Sequence, residues 1–357
     1  MLNQPPQPTN QFSNLTEDEL RHAIHLQSSS KTEDELRHAF LTASNGPREN
    51  GNHFFNQFKY KYDLFAGNYA AVLNQGLDLL NRCRAIDEAA YARIHKGSAY
   101  YWIGIAAFLM HEHELAAFFF DAAVAEDLRA GADPVNNPSP SFRYILVEGE
   151  PPEQAARQLV QATQARIEEL IDNYNTRPGR PPGVKDLTIE GLRGRFLRPS
   201  ISRGGENLRS SATTLISFSM EWDFRNMLFD IRPVQGTAEP FFLHLFKGCV
   251  LFESILKGNP TNPPPLNSTL GNTLRHLHVE LGIPANVDIG NTNFPDIVAD
   301  LAGADDSIQT AVQFTGRIRN TLGHNLGWVV TLDKMHYHRL FRMVSSSCFH
   351  AISCLYS

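Results

Sequence analysis

Cysteine is scarce in this sequence. Four occur in 357 residues, at Cys83, Cys249, Cys348 and Cys354, and no two form a CxxC pair. That excludes a structural zinc site of the usual spacing and argues against a disulfide framework. Long apolar runs are also missing. The stretches IGIAAFLM and AAFFFDAAVA are too short or too interrupted to cross a bilayer. The opening MLNQPPQPTNQ is polar and Pro-rich, unlike a secretory leader, so the reading is a cytoplasmic protein without membrane association. There is no positive excess either: 32 Lys+Arg against 38 Asp+Glu gives −6. Nucleic acid is therefore not bound through bulk charge, which leaves only local basic patches. GxGxxG, Walker A, HExxH and the nucleophile elbow are all absent, so neither a cofactor nor a metal is expected.

What is present is ample apolar side chain, 42% of the chain, in a length suited to two or three domains. Residues 1–52 read as a poorly structured lead-in containing the octapeptide TEDELRHA twice, at Thr16–Ala23 and Thr32–Ala39. In each copy Thr and Glu stand three apart, as in a capping box ahead of a short helix. The repeat fits a duplicated helix start, or a pair of partner-binding helices.

Residues 53–176 carry helical periodicity. Phe54, Phe58, Tyr62 and Phe65 form one stripe and Val72, Leu73, Leu77 and Leu80 another, with a turn at Gly67-Asn68. Tyr100–Ala123 matches the tetratricopeptide (TPR) pattern at Tyr100, Ile103, Gly104, Ala116, Phe120 and Ala123, where small residues let two helices approach. A TPR-like domain of helical hairpins is expected here, with a further helix over 152–174. Residues 177–209 read as a Pro/Arg-rich linker. Between Arg180 and Arg209 seven Lys/Arg face three Asp/Glu, as in a solvated linker or a phosphate-contacting arm. From 210 to 357 the pattern is an all-α bundle with helices expected at 210–232, 238–257, 268–281, 294–302, 306–322 and 331–355. Strand signals are weak, with at most a short extended piece at Asp288–Thr292.

The segment FTGRIRNTLGHNLGW places Arg317, Arg319, Asn320 and His324 at the end of an apolar helix. Asn320 and His324 share a face at i, i+4, and Arg317 joins them, whereas Arg319 points about 140° from His324. A long side chain can still curl round, and Gly323 is placed to end the helix there. These residue types suit RNA cleavage. RNA carries its own nucleophile, the 2′-OH, so the reaction needs a base, an acid and positive charge on the phosphoryl oxygens, and no metal. Histidine suits either proton role, and arginine offers a planar fork of donors matched to phosphate. Asn320 can orient the histidine or bond the phosphate. Lys334, Arg339 and Arg342, in and beside MHYHRLFR, together with Arg317, would form an RNA-binding rim. The pairs His276/His278 and His336/His338 lack the i, i+4 spacing of a helical metal clamp.

The run Arg319-Asn320-Thr321-Leu322-Gly323-His324 resembles the R-x4-6-H motif of the HEPN family, in which Asn often follows the Arg. The resemblance covers about the last 150–170 residues, a helical bundle with the motif late and one helix after it. It implies a HEPN-like helical bundle and a metal-independent endoribonuclease acting at a composite site in a homodimer, since one His per chain cannot readily be both base and acid. It also implies products ending in 2′,3′-cyclic phosphate and 5′-hydroxyl, and a role as a toxin or antiviral-defence effector. The N-terminal helical region would take a regulatory protein or ligand. The rival expectation is a non-enzymatic helical-repeat interaction or dimerisation protein.

Overall fold

The computed structural model describes residues 32–357 except 134–135, 137–138, 150–153, 203–204, 233–235, 291, 325–331 and 357. Among the described residues every regular element is helical, as the sequence predicts. The chain divides into two compact units, Met1–Met110 and His111–Ser357.

The first unit contains α1 (Glu33–Ser44), α2 (Arg48–Asn56), α3 (Lys59–Phe65), α4 (Tyr69–Ile86), α5 (Glu88–Arg93) and α6 (Gly97–Leu109). α1 starts at the second TEDELRHA copy. Thr32 Oγ1 accepts the Glu35 N–H at 3.3 Å, and Glu35 Oε2 accepts the Thr32 N–H at 2.8 Å, which completes the capping box. The first copy lies outside the described residues. The expected loose lead-in is corrected for residues 33–52. α1 and most of α2 occupy them, because Leu36 and Phe40 supply a fully buried apolar stripe. Gly67, with φ at +77°, turns α3 into α4. α6 crosses α4 closely at Gly76, where an added Cβ would lie 2.7 Å from Ile103 Cγ1.

The second unit contains α7 (His113–Arg129), α8 (Pro140–Leu146), α9 (Gln154–Asn175), α10 (Ile189–Leu192), α11 (Arg198–Ser202), α12 (Gly205–Ile231), α13 (Glu239–Lys257), α14 (Leu270–His276), α15 (His278–Leu281), α16 (Phe294–Leu301), α17 (Ile308–His324) and α18 (Lys334–Leu355). One π-helical turn, Arg193–Leu197, joins α10 to α11. α18 is the hub, packed by α9, α13, α15 and α17. Small residues make this possible. Ser345, Ser346 and Ser347 are buried along α18, and Ser347 Oγ lies 2.9 Å from Thr315 Oγ1 of α17. In α13 a Cβ at Gly248 would lie 2.6 Å from Val344 Cγ1 and also collide with Phe218.

Two expectations about organisation are corrected. The TPR-like hairpin was to pair α6 with α7, but α6 packs on α2 and α4 in the first unit and α7 packs on α12 in the second. The small residues do mark close crossings: Ala116, Phe120 and Ala123 are fully buried. The motif gives no information on the partner. The 177–209 segment is not a solvated linker either. It lies inside the second unit, with Leu187, Leu192, Phe196, Leu197 and Ile201 buried. Its arginines act as internal ties. Arg193 donates to the carbonyls of Leu146 and Val147, Arg198 donates to both Glu148 oxygens at 3.0 Å, and Arg209 donates to Asp121 at 2.8 and 3.1 Å. The segment 288–290 is irregular rather than a strand.

Candidate functional site

α17 presents two faces. Ile308, Ala311, Val312, Thr315, Ile318 and Leu322 are buried, while Arg317, Asn320 and His324 lie along a more open side at i, i+3 and i+7. His324 is the last helical residue and is exposed. An imidazolium there would complement the negative end of the helix dipole.

Each polar side chain of the motif has a definite setting. Asn320 Nδ2 donates to the Ile289 carbonyl at 2.7 Å, and Thr321 Oγ1 donates to the Thr292 carbonyl at 3.0 Å, so together they fasten Ile289 and Thr292 to the end of α17. Arg319 Nε donates to Glu253 Oε2 at 2.8 Å, and its Nη1 lies 3.5 Å from Asn320 Oδ1. The guanidinium also runs along the helix toward its last turn, for a Cβ added at Gly323 would sit 3.9 Å from Arg319 Nη1. The lack of a side chain at Gly323 leaves room for the guanidinium there. Arg317 faces elsewhere. It pairs with Asp300 at 2.7 Å and lies 5.5 Å over the Phe314 ring.

Glu253 is the residue that sequence reasoning missed. Only 8% exposed, it holds Arg319 of α17 and, at 2.7 Å, Lys257 one turn further along α13. The available signal was an i, i+4 acid–base pair in the otherwise apolar LFESILK. Arg319, Glu253 and Lys257 line a cleft of about 790 Å³ together with Phe246, Val250 and Leu266. Its apolar wall is unusually open: Leu266 is 95% exposed and Val250 45%, and Leu243 on the same helix is 48% exposed.

Lys334, Arg339 and Arg342 line a second cleft, of about 720 Å³, that shares no lining residue with the Arg319 cleft. Arg317 lines neither.

No family model matches this chain. No curated protein and no solved structure matches it either. Among the described residues no group of three or more His, Cys, Asp and Glu side chains could hold a metal ion, and no helix is long and apolar enough to cross a membrane. Several histidines are instead core residues. Burial lowers His113, His244 and His350 to about 4, so they are neutral at pH 7. His350 Nε2 bonds the Leu281 carbonyl at 2.8 Å, and His244 Nε2 bonds that of Phe218 at 2.8 Å.

Proposed function

We propose that the second unit is a HEPN-like, metal-independent endoribonuclease that works as a homodimer. The reading is supported by the Arg319-Asn320 pair and His324 in the last turns of α17, where His324 is exposed and the Arg319 guanidinium lies beside Gly323. In the proposed reaction His324 takes the 2′-OH proton. Arg319 stabilises charge on the phosphoryl oxygens, and Asn320 fixes the end of the helix. The His324 of a second copy protonates the 5′-oxygen that leaves. The phosphodiester P–O5′ bond breaks as the 2′-oxygen bonds to phosphorus, leaving a 2′,3′-cyclic phosphate and a 5′-hydroxyl. The exposed Val250 and Leu266, which line the same cleft as Arg319, support an apolar contact between copies. In this reading the first unit binds a regulatory partner or ligand, and the protein serves as a toxin or antiviral-defence effector.

A rival reading as a non-enzymatic interaction protein has one observation in its favour: Arg319 is paired with Glu253, as a purely structural arginine would be. The test is incubation with mixed RNA in EDTA and identification of the new ends. Cyclic phosphates and 5′-hydroxyls are expected. His324→Ala should slow cleavage by about 10²–10⁴-fold while the folded dimer persists, the range for losing a general acid or base. Wild-type rates in that variant would remove the site assignment.

A further inference from the structure

The second cleft is a candidate site in its own right. α18 carries Lys334, His338 and Arg342 at i, i+4 and i+8, with Arg339 alongside, while its opposite face, with Tyr337, Leu340, Phe341 and Val344, is buried. Arg177, just past the end of α9, faces this ridge across the cleft. Four cationic side chains, Arg177, Lys334, Arg339 and Arg342, thus line it against a single carboxylate, Asp306, in a chain of net charge −6.

The charges are under-compensated. Lys334 has a partner outside the lining, Asp230 at 2.6 Å. Asp306 is shared, 4.0 Å from Arg177 Nη1 and 3.5 Å from Arg339 Nη2, and is itself largely exposed. Arg339 donates to the carbonyls of Leu301 and Ala304, which occupies its donors but leaves its charge. Arg342 is exposed and has no hydrogen bond or ion pair among the described residues. Arg177 is only 9% exposed. Its Nε donates to Ser346 Oγ at 2.7 Å and its Nη1 to the Asp306 carbonyl at 3.0 Å, both uncharged partners, while Nη2 makes no hydrogen bond. Burial draws the Arg177 pKa below its ordinary value despite an upward pull from Asp306, and Arg339 and Arg342 add to the lowering. A buried guanidinium beside two more, with one exposed acid shared between two of them, is costly unless an anion joins them.

We propose that this cleft binds a phosphate-bearing small molecule, with Arg177 and Arg342 donating to the phosphate oxygens and Arg339 adding charge. A carboxylate would bring one negative charge. A terminal phosphate brings about 1.5–2 and three acceptor oxygens, a closer match to the excess. An RNA strand fits less well. Arg177 lies nine-tenths buried, which suits the bare end of a terminal phosphate better than a phosphodiester flanked by nucleotides on both sides. The volume, about 720 Å³, is that of a small-molecule site and leaves room for a body of nucleotide size. The same chemistry could come from a nucleotide or from a free phosphate chain. The proposal does not depend on the ribonuclease reading.

Isothermal titration of the full chain with ATP, tripolyphosphate and adenosine tests it. ATP and tripolyphosphate should bind with Kd below about 1 mM, and adenosine should not bind. ATP tighter than tripolyphosphate by about tenfold would identify a nucleotide, and equal affinities a phosphate chain, either supporting the site. Arg342→Glu, an exposed change that leaves the core intact, should weaken ATP by about tenfold or more, as should Arg177→Met if it folds. Arg319→Ala should leave ATP affinity unchanged. Absence of binding by both anions, unchanged affinity in Arg342→Glu, or displacement of ATP by a tighter-binding 5′-hydroxyl RNA oligomer would overturn the proposal.

Discussion

Replacing Glu253 by glutamine tests what the tie between α13 and α17 is for. The carboxylate accepts from Arg319 at 2.8 Å and Lys257 at 2.7 Å, and its side chain is 11% exposed against 29% for Arg319 and 34% for Lys257. Breaking one side of a buried pair costs about 3–5 kcal/mol, and losing an exposed pair costs about 0–1 kcal/mol. Here the acid is buried, but both cations reach water and can be rehydrated, and glutamine keeps one acceptor oxygen. The loss should fall between these limits, at about 1–2 kcal/mol. In a unit of this size that is a drop of about 2–8 °C in Tm. Thermal unfolding of Glu253→Gln, Arg319→Ala and the double variant gives a cycle with an expected coupling of about 1 kcal/mol. On the proposed ribonuclease reading, RNA cleavage by Glu253→Gln should fall through kcat with KM little changed, because the carboxylate would position the guanidinium without touching substrate. A coupling below about 0.3 kcal/mol together with an unchanged kcat would show that the tie neither stabilises the fold nor positions Arg319.

Other consequences can be checked separately. Thr32→Ala removes half of the capping box at α1 and should cost about 0.5–2 kcal/mol, read as a lower urea midpoint. Gly248→Ala pushes a methyl against Phe218 and Val344, both fully buried. Overpacking of about 1–3 kcal/mol outweighs the gain of about 1 kcal/mol in helix propensity, so the chain should be less stable. Acid should act in two stages. His113, His244 and His350 sit at about 4 when folded against an ordinary 6.5, so their contribution is full above pH 6.5 and declines as pH falls toward 4. Burial pushes the Glu221 carboxyl up, but His244, Lys247 and Arg225 outweigh it and draw it down to about 2, so its contribution is full above 4.5 and is lost as pH falls toward 2. Urea midpoints at pH 7, 5.5 and 4 should fall steadily, and His350→Asn should flatten the first stage.

Helices were legible because their signals are local. The stripe at Leu36 and Phe40 follows a capping box, and the long helices of the second unit start and stop within a few residues of where periodicity and Pro or Gly place them. Partnership was not legible. Ala116 and Phe120 announce a close crossing, but only three-dimensional packing shows that α12 fills it. The 177–209 segment misled because arginine density reads as solvation. Its guanidinia instead satisfy buried carbonyls and carboxylates while Phe196 and Ile201 anchor the backbone. At the candidate site, the spacing of Asn320 and His324 could be worked out by helix arithmetic. The tether on Arg319 comes from Glu253, 66 positions away, beyond the reach of any periodicity.

The central place of α18 governs how the second unit can assemble. A chain emerging residue by residue exposes α9, α13 and α17 before the helix on which all three converge exists. Those earlier helices can collapse loosely but cannot lock, so the ordered core waits for α18 to be made. A cell making this protein would thus hold the bundle unfinished until α18 has been synthesised, and any activity that needs the finished bundle would begin only after that helix has joined it.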